Sequence, residues 1–165
     1  MKWHQWFRRR GAGEALGGLA RSGEGISLEE ERAIDLGLVR DLYALLAAIE
    51  ELQEEAVLYL EGTSIVSDIR AFLEAQGAEE SQPVGRGTSW PRPKIYHLPL
   101  TRSNLRQLRE LAEGHAEPEI CDHLVVYSGN QILLSAYDAG SSHVYVSRDL
   151  SPAMVERIRR RLGVP

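Results

Sequence analysis

The last third of the chain contains three apolar segments of strand length, separated by two short links that contain glycine. The segments are residues 121–127, 131–138 and 143–147, and the links are residues 128–130 and 139–142. Short glycine-bearing links between apolar runs are typical of β-hairpins. The pattern therefore predicts a three-stranded antiparallel meander, whose apolar face the rest of the chain must cover.

The preceding residues predict two more strands and most of the helices. Residues 57–60 and 95–100 are short apolar runs and are interpreted as strands. A capping-box sequence at residues 27–30, followed by an apolar stripe from Leu38 to Leu52, predicts a helix over residues 27–54, whole or split into two pieces at Gly37. Further helices are predicted over residues 65–76, from 101 or 103 to about 112, and over residues 151–163. We therefore expect an α+β fold, with a mixed five-stranded sheet that ends in the meander and about four helices packed on it.

The chain of 165 residues suits one domain behind an N-terminal tail. Residues 1–25 combine several glycines with Trp3, Trp6, Phe7 and the basic run at residues 8–10, without a sustained apolar period. We expect a flexible basic and aromatic tail, followed by a single α+β domain over residues 26–165. Membrane-surface contact through the aromatic and basic residues is the alternative interpretation of the tail.

Composition restricts the cellular compartment that can be expected for this protein and indicates its source. Cys121 is the only cysteine, so no intramolecular disulfide can form, and a reducing, cytoplasmic location is expected. The longest apolar run, residues 42–49, is far shorter than the ~20 residues of a membrane-spanning helix. Lys2 and Lys94 are the only lysines among 19 basic residues, a bias towards arginine that indicates a GC-rich bacterial genome.

Charge argues against nucleic acid as a partner. The net charge is −5, although residues 1–22 contain five basic residues and one acidic residue, so the remainder of the chain is strongly acidic. Binding of phosphates requires a basic surface. A protein partner is the expectation that remains.

One group of polar residues in the meander can carry chemistry. If both hairpin turns are tight, Cys121, Asp138 and His143 form one row across the sheet, and His123 and Tyr145 lie in the adjacent row on the same face. Two interpretations follow. His123, Asp138 and His143 can hold a divalent metal such as zinc, or a histidine oriented by Asp138 can activate Cys121 as a thiolate. Tyr145 would then stabilise an oxyanion.

The long connection over residues 78–93 is the second candidate site. It contains Arg86, Trp90 and Arg92, and a tryptophan flanked by arginines has the composition of a protein-binding hot spot. The alternative is that Trp90 folds back over the core. The sequence contains neither a dinucleotide-binding glycine motif nor a Gly-x-Ser-x-Gly nucleophile elbow.

Two functions are therefore expected. The first is a non-catalytic binding or accessory module that engages a protein partner through the 78–93 loop and the tail. The alternative is a metal- or cysteine-dependent hydrolase-like site on the sheet face. A homodimer is also expected, because the strand at residues 143–147 would lie at an edge of the sheet and invite pairing.

Overall fold

The computed structural model describes residues 25–52, 55–80, 84–88, 90–140 and 142–165. The predicted tail therefore lies almost entirely outside the described residues. In the described part the fold is α+β, as the sequence predicts, and it consists of one six-stranded sheet and five α-helices. The strands are β1 (Ala33–Val39), β2 (Val57–Gly62), β3 (Lys94–Pro99), β4 (His123–Ser128), β5 (Gln131–Tyr137) and β6 (Ser142–Ser147). The helices are α1 (Leu42–Ile49), α2 (Ser67–Gln76), α3 (Arg102–Ala112), α4 (Glu117–Ile120) and α5 (Pro152–Leu162).

Every strand pair in the sheet is antiparallel, so the predicted mixed sheet is wrong. The strand order is β1-β6-β5-β4-β2-β3. The meander β4-β5-β6 is confirmed. However, β6 is internal, because β1 pairs along it. The argument for a homodimer through an exposed β6 edge therefore fails, and the homodimer stays a prediction without that support.

The sixth strand, β1, lies inside the segment predicted as helix. Its buried residues are Ala33, Leu36 and Val39, three positions apart, because the register shifts between Asp35 and Leu38. Gly37 sits in this irregularity at φ +93°, a backbone conformation that glycine adopts without strain. The predicted helix start at residues 27–30 is wrong, because only a short 3-10 helix (Glu30–Arg32) forms there before β1 begins. The helix proper begins at Leu42, where the Asp41 carboxylate accepts hydrogen bonds from the amides of Tyr43 and Ala44.

The other predicted elements agree with the structure to within a few residues. Thr101 caps α3 through the amide of Asn104, and Ser151 caps α5 through the amide of Met154, with Pro152 at the first helical position. None of the described helices is long and apolar enough to cross a membrane.

The two faces of the sheet are covered differently. The helices pack on one face, where Leu58, Leu60, Leu124, Val126 and Leu134 belong to the large buried core. The opposite face, called here the second face, carries a smaller cluster. Short chain segments cover it, including Ile26, Leu28 and Val84, and Ile26 forms an isolated parallel bridge with Val84.

Candidate functional site: the loop side of the sheet

The centre of the second face is a buried carboxylate that the sequence analysis did not identify. Glu61 lies near the end of β2 and is 0% exposed. It accepts hydrogen bonds from the Tyr59 hydroxyl at 2.7 Å, from the Gly87 amide at 3.1 Å and from the Thr88 amide at 2.6 Å. Buried polar groups are stable when their partners are in place. Glu61 therefore fastens the loop that follows Val84 onto the sheet.

Burial and the Glu61 carboxylate together raise the pKa values of two neighbouring tyrosines. Burial, with the hydrogen bond to Glu61 as the second cause, raises the pKa of Tyr59 well above its ordinary value. Burial and the Glu61 charge raise the pKa of Tyr137 to about 12. Both phenols therefore stay protonated at neutral pH, and Tyr59 acts as a donor to Glu61.

His123 extends the same network and is itself 3% exposed. Its Nδ1 accepts a hydrogen bond from the Asp138 amide at 2.8 Å, so that nitrogen carries no proton. Nε2 must then carry the ring proton and donate it to the Thr88 hydroxyl, which lies 2.8 Å away. In this tautomer Nε2 has no lone pair to accept a proton from Thr88. The pair is therefore arranged as a structural contact rather than as nucleophile and base.

Gly87 is required where the loop meets His123. A Cβ atom at this position would lie 2.3 Å from the imidazole Cδ2 atom. Only glycine permits this close approach of backbone and ring. The loop, Glu61 and His123 thus form one packed unit.

The predicted row of catalytic residues is not assembled, because the register differs. At the turn, Ser128 pairs with Gln131, as a two-residue loop requires, but a bulge between Val126 and Tyr127 shifts the pairing by one residue. His123 therefore lies opposite Tyr137 instead of Ala136. The second hairpin is also one residue from the predicted register, with Ala136 opposite Val144 instead of Tyr145.

The five predicted residues accordingly fall into two groups. Cys121, His123 and Asp138 line one cleft, described below, whereas the rings of His143 and Tyr145 stack on each other on β6, with centroids 6.2 Å apart. His143 is exposed and forms an ion pair with Asp35, with Nδ1 and Oδ2 2.8 Å apart. Tyr145 lies opposite Asp35 and Ser135 and is buried. Strands are spaced by ~4.8 Å, so His123 on β4 and His143 on β6 lie about 10 Å apart at the backbone, with β5 between them.

Asp138 follows β5 and has φ +52°. Its Oδ1 atom is 3.9 Å from His123 Nδ1, so these two predicted metal ligands are neighbours. Among the described residues, no group of three or more His, Cys, Asp and Glu side chains is placed to hold a metal ion. The metal site stays a prediction that these residues do not support.

Cys121 is unsuited to nucleophilic chemistry in this arrangement. The residue is 1% exposed and belongs to the core on the helix side of the sheet. Burial, followed by the charge of Asp122, raises the pKa of its thiol to about 12. The reactive thiolate is therefore strongly disfavoured at neutral pH.

Trp90 is a large hydrophobic residue of the loop whose side chain is almost fully exposed. It is 85% exposed, and among the described residues the only other exposed large hydrophobic side chain is Leu38, at 41%. Trp90 and Pro91, joined by a cis peptide bond, line an open cleft of about 420 Å³, called here the Trp90 cleft. Its other lining residues are Thr63, Gly87, Thr88, Pro118, Cys121, Asp122, His123, Asp138 and Ala139.

The predicted Arg-Trp-Arg group is divided between two sides of the loop. Arg86 and Arg92 are exposed, but they line a different cavity, of about 740 Å³, that also contains His97. This second space is called here the His97 cavity. The two arginines therefore line a different space from the cleft that Trp90 lines, and the combined Arg-Trp-Arg hot spot stays a prediction.

Comparisons with known proteins add no relationship to this geometry. No protein-family model matches the sequence, and comparisons with curated proteins and with solved structures find no significant match.

Proposed function

We propose that this protein is a non-catalytic binding module that engages a protein partner through Trp90 and the adjoining cleft. The observation that carries the proposal is the 85% exposure of Trp90 on a loop whose stem is held by the buried Glu61. Tryptophan is enriched among the residues that dominate binding energy. A fixed loop stem also reduces the conformational entropy that binding must overcome.

The chemistry of the Trp90 cleft favours a basic segment on the partner. Asp122 and Asp138 lie on its lining, and the Asp138 side chain is 53% exposed. The Oδ2 atom of Asp122 accepts hydrogen bonds from the amide and hydroxyl of Thr63, at 2.7 and 2.8 Å, so this carboxylate is held in place. An arginine or lysine can stack on the indole of Trp90 while its charge approaches these carboxylates.

The contacts of the buried polar residues also favour binding over catalysis. His123 uses both ring nitrogens in hydrogen bonds, and Cys121 lies in the core. Cys121, His123 and Asp138 do line the same cleft, but their burial and hydrogen bonds do not arrange them as nucleophile and base, so the hydrolase alternative stays a prediction.

A fluorescence titration tests the proposal with a defined probe. Trp3 and Trp6 are the only other tryptophans, so a Trp3→Phe/Trp6→Phe variant reports on Trp90 alone. We expect an arginine-rich peptide to quench or shift the Trp90 emission saturably, and a glutamate-rich peptide of equal length to leave it unchanged. Asp122→Asn/Asp138→Asn should weaken the response about tenfold, as the loss of charge-assisted contacts predicts.

A matched pair of variants tests whether the same residue selects protein partners. Trp90→Ala should abolish capture of partners that the wild-type protein retains. Leu38→Ala, which removes the other large hydrophobic side chain that is exposed among the described residues, on β1, should leave capture intact. Equal recovery by the wild-type protein and the Trp90→Ala variant would contradict the proposal.

A further inference from the structure

The His97 cavity is a second concave region, distinct from the Trp90 cleft. It lies between the end of α2, the strand β3 and the loop that contains Arg86 and Arg92. Its volume of about 740 Å³ falls within the range of small-molecule sites. Leu73, Val84 and Ile95 supply apolar lining, and Tyr59 and Tyr96 supply aromatic lining.

His97 gives this cavity a polar group that lacks a partner. The residue is 5% exposed, and its Nδ1 lies 2.9 Å from the Tyr127 hydroxyl. Its ring packs edge-on against Tyr59, with the centroids 5.5 Å apart. Nε2 is buried and has no hydrogen-bond partner among the described residues. Because buried polar atoms are ordinarily paired, this nitrogen indicates a group that the cavity is built to receive.

The charged residues of the lining restrict what that group can belong to. Arg86 and Arg92 contribute guanidinium groups, whose planar fork matches a carboxylate. Glu74 and Glu80 lie on the same lining and would repel a second acidic group. The lining thus offers a contact for one carboxylate at Arg92 and disfavours a second one beside the glutamates.

We infer that the His97 cavity binds a small organic acid with a single carboxylate, an apolar or aromatic body, and a polar substituent that hydrogen-bonds to His97 Nε2. The carboxylate binds at Arg92, and the body lies against the tyrosines and aliphatic side chains. This site is independent of the proposed protein-binding surface, because Trp90 does not line it.

The test uses the full chain and three small probes of similar shape. 4-Hydroxybenzoate carries one negative charge, 4-hydroxybenzamidine carries one positive charge, and phthalate carries two negative charges. Titrations are followed by amide NMR shifts and by the ring nitrogen resonances of His97. We expect 4-hydroxybenzoate to bind saturably, with a Kd of about 1 mM for a ligand of this size, and to shift the Nε2 resonance.

Variants then locate the site. Arg92→Ala should weaken binding of 4-hydroxybenzoate by about tenfold or more, because it removes a charge-assisted contact. Arg102→Ala is the matched control, since this exposed arginine at the start of α3 lies outside the cavity. Trp90→Ala should leave the affinity unchanged, which separates this site from the protein-binding proposal.

Three results would overturn the inference. They are the absence of saturable shifts with 4-hydroxybenzoate, equal binding of 4-hydroxybenzamidine, or an affinity that Arg92→Ala does not alter. Phthalate binding as tight as that of 4-hydroxybenzoate would overturn the assignment of a single acidic group.

Discussion

At the scale of single residues, Glu61 and His123 on the second face use their hydrogen-bonding atoms on backbone amides and neighbouring hydroxyls. Glu61 receives three donors, and His123 is bonded at both nitrogens. Such side chains hold a shape, whereas a catalytic base needs a free lone pair beside its substrate. His97, with its unpaired Nε2, differs from both.

The reactivity of the Cys121 thiol tests directly whether this residue can act as a nucleophile in the folded protein. Its burial and its raised pKa of about 12 predict very slow modification of the native protein by a thiol reagent at pH 7.5. The rate should approach that of a free thiol only when denaturant unfolds the chain. Because Cys121 is the only cysteine, a single absorbance assay with a chromogenic disulfide measures it. Rapid labelling of the folded protein would revive the cysteine-dependent hydrolase.

At the scale of elements, the loop over residues 84–88 depends on one carboxylate. Glu61→Gln replaces an acceptor of three hydrogen bonds by an amide whose NH₂ group faces donors. We expect a loss of about 1–3 kcal/mol in the free energy of unfolding. We also expect faster hydrogen exchange at the amides of Gly87 and Thr88.

Glu79→Gln is the matched control, because Glu79 is exposed in the neighbouring connection. It should change neither the stability nor the exchange rates. If the Glu61→Gln variant retains slow exchange at both amides, the carboxylate does not anchor the loop.

The helix caps and turns could be predicted from the sequence, whereas the irregularities of the strands could not. The capping residues Thr101 and Ser151 and the turn at residues 129–130 were predictable, because each depends on neighbouring residues. The two bulges were not. One gives β1 a three-residue burial period, and the other shifts His123 from Ala136 to Tyr137. Gly37 marks the bulge in β1, but a glycine at that position is equally compatible with a break in a helix. Val126 and Tyr127, at the other bulge, include no glycine.

The candidate site was only half predictable for a similar reason. Trp90 was identified because its residue type and its place in a long loop are both visible in the sequence. Glu61 was missed because the apolar run was taken to end at Leu60, although Tyr59 and Glu61 share a face through the two-residue period of a strand. That period was the available signal. The hydrogen-bond partners of Glu61, Gly87 and Thr88, lie 26 and 27 residues further along the chain, and no pattern in the sequence links them to Glu61.

At the scale of the whole molecule, the domain boundary can be tested by truncation. Ile26 and Leu28 pack on the second face, and the Ile26 carbonyl accepts a hydrogen bond from the Gly85 amide at 3.1 Å. A protein beginning at residue 25 should therefore unfold at the same urea concentration as the full chain. Removal of residues 25–28 as well should cost about 2 kcal/mol, from lost apolar burial and one hydrogen bond.

Urea denaturation of the two truncated proteins separates the contribution of residues 1–24 to stability from that of residues 25–28. If the protein beginning at residue 25 is much less stable than the full chain, the domain extends into the first 24 residues. Equal stability of both truncated proteins would mean that Ile26 and Leu28 contribute nothing to the second face.

The unequal covering of the sheet has a consequence for how the molecule can respond to a partner. Displacing the helices would expose the large core, whereas lifting the loop exposes only a small cluster and frees the amides bound to Glu61. Local opening therefore requires less free energy on the loop side than global unfolding does. If a partner binds at Trp90 as proposed, it acts on the side of the sheet that opens at the lower cost, while the core beneath the helices stays folded. The loop side of the sheet can therefore change its conformation locally, while the helix side keeps the molecule folded.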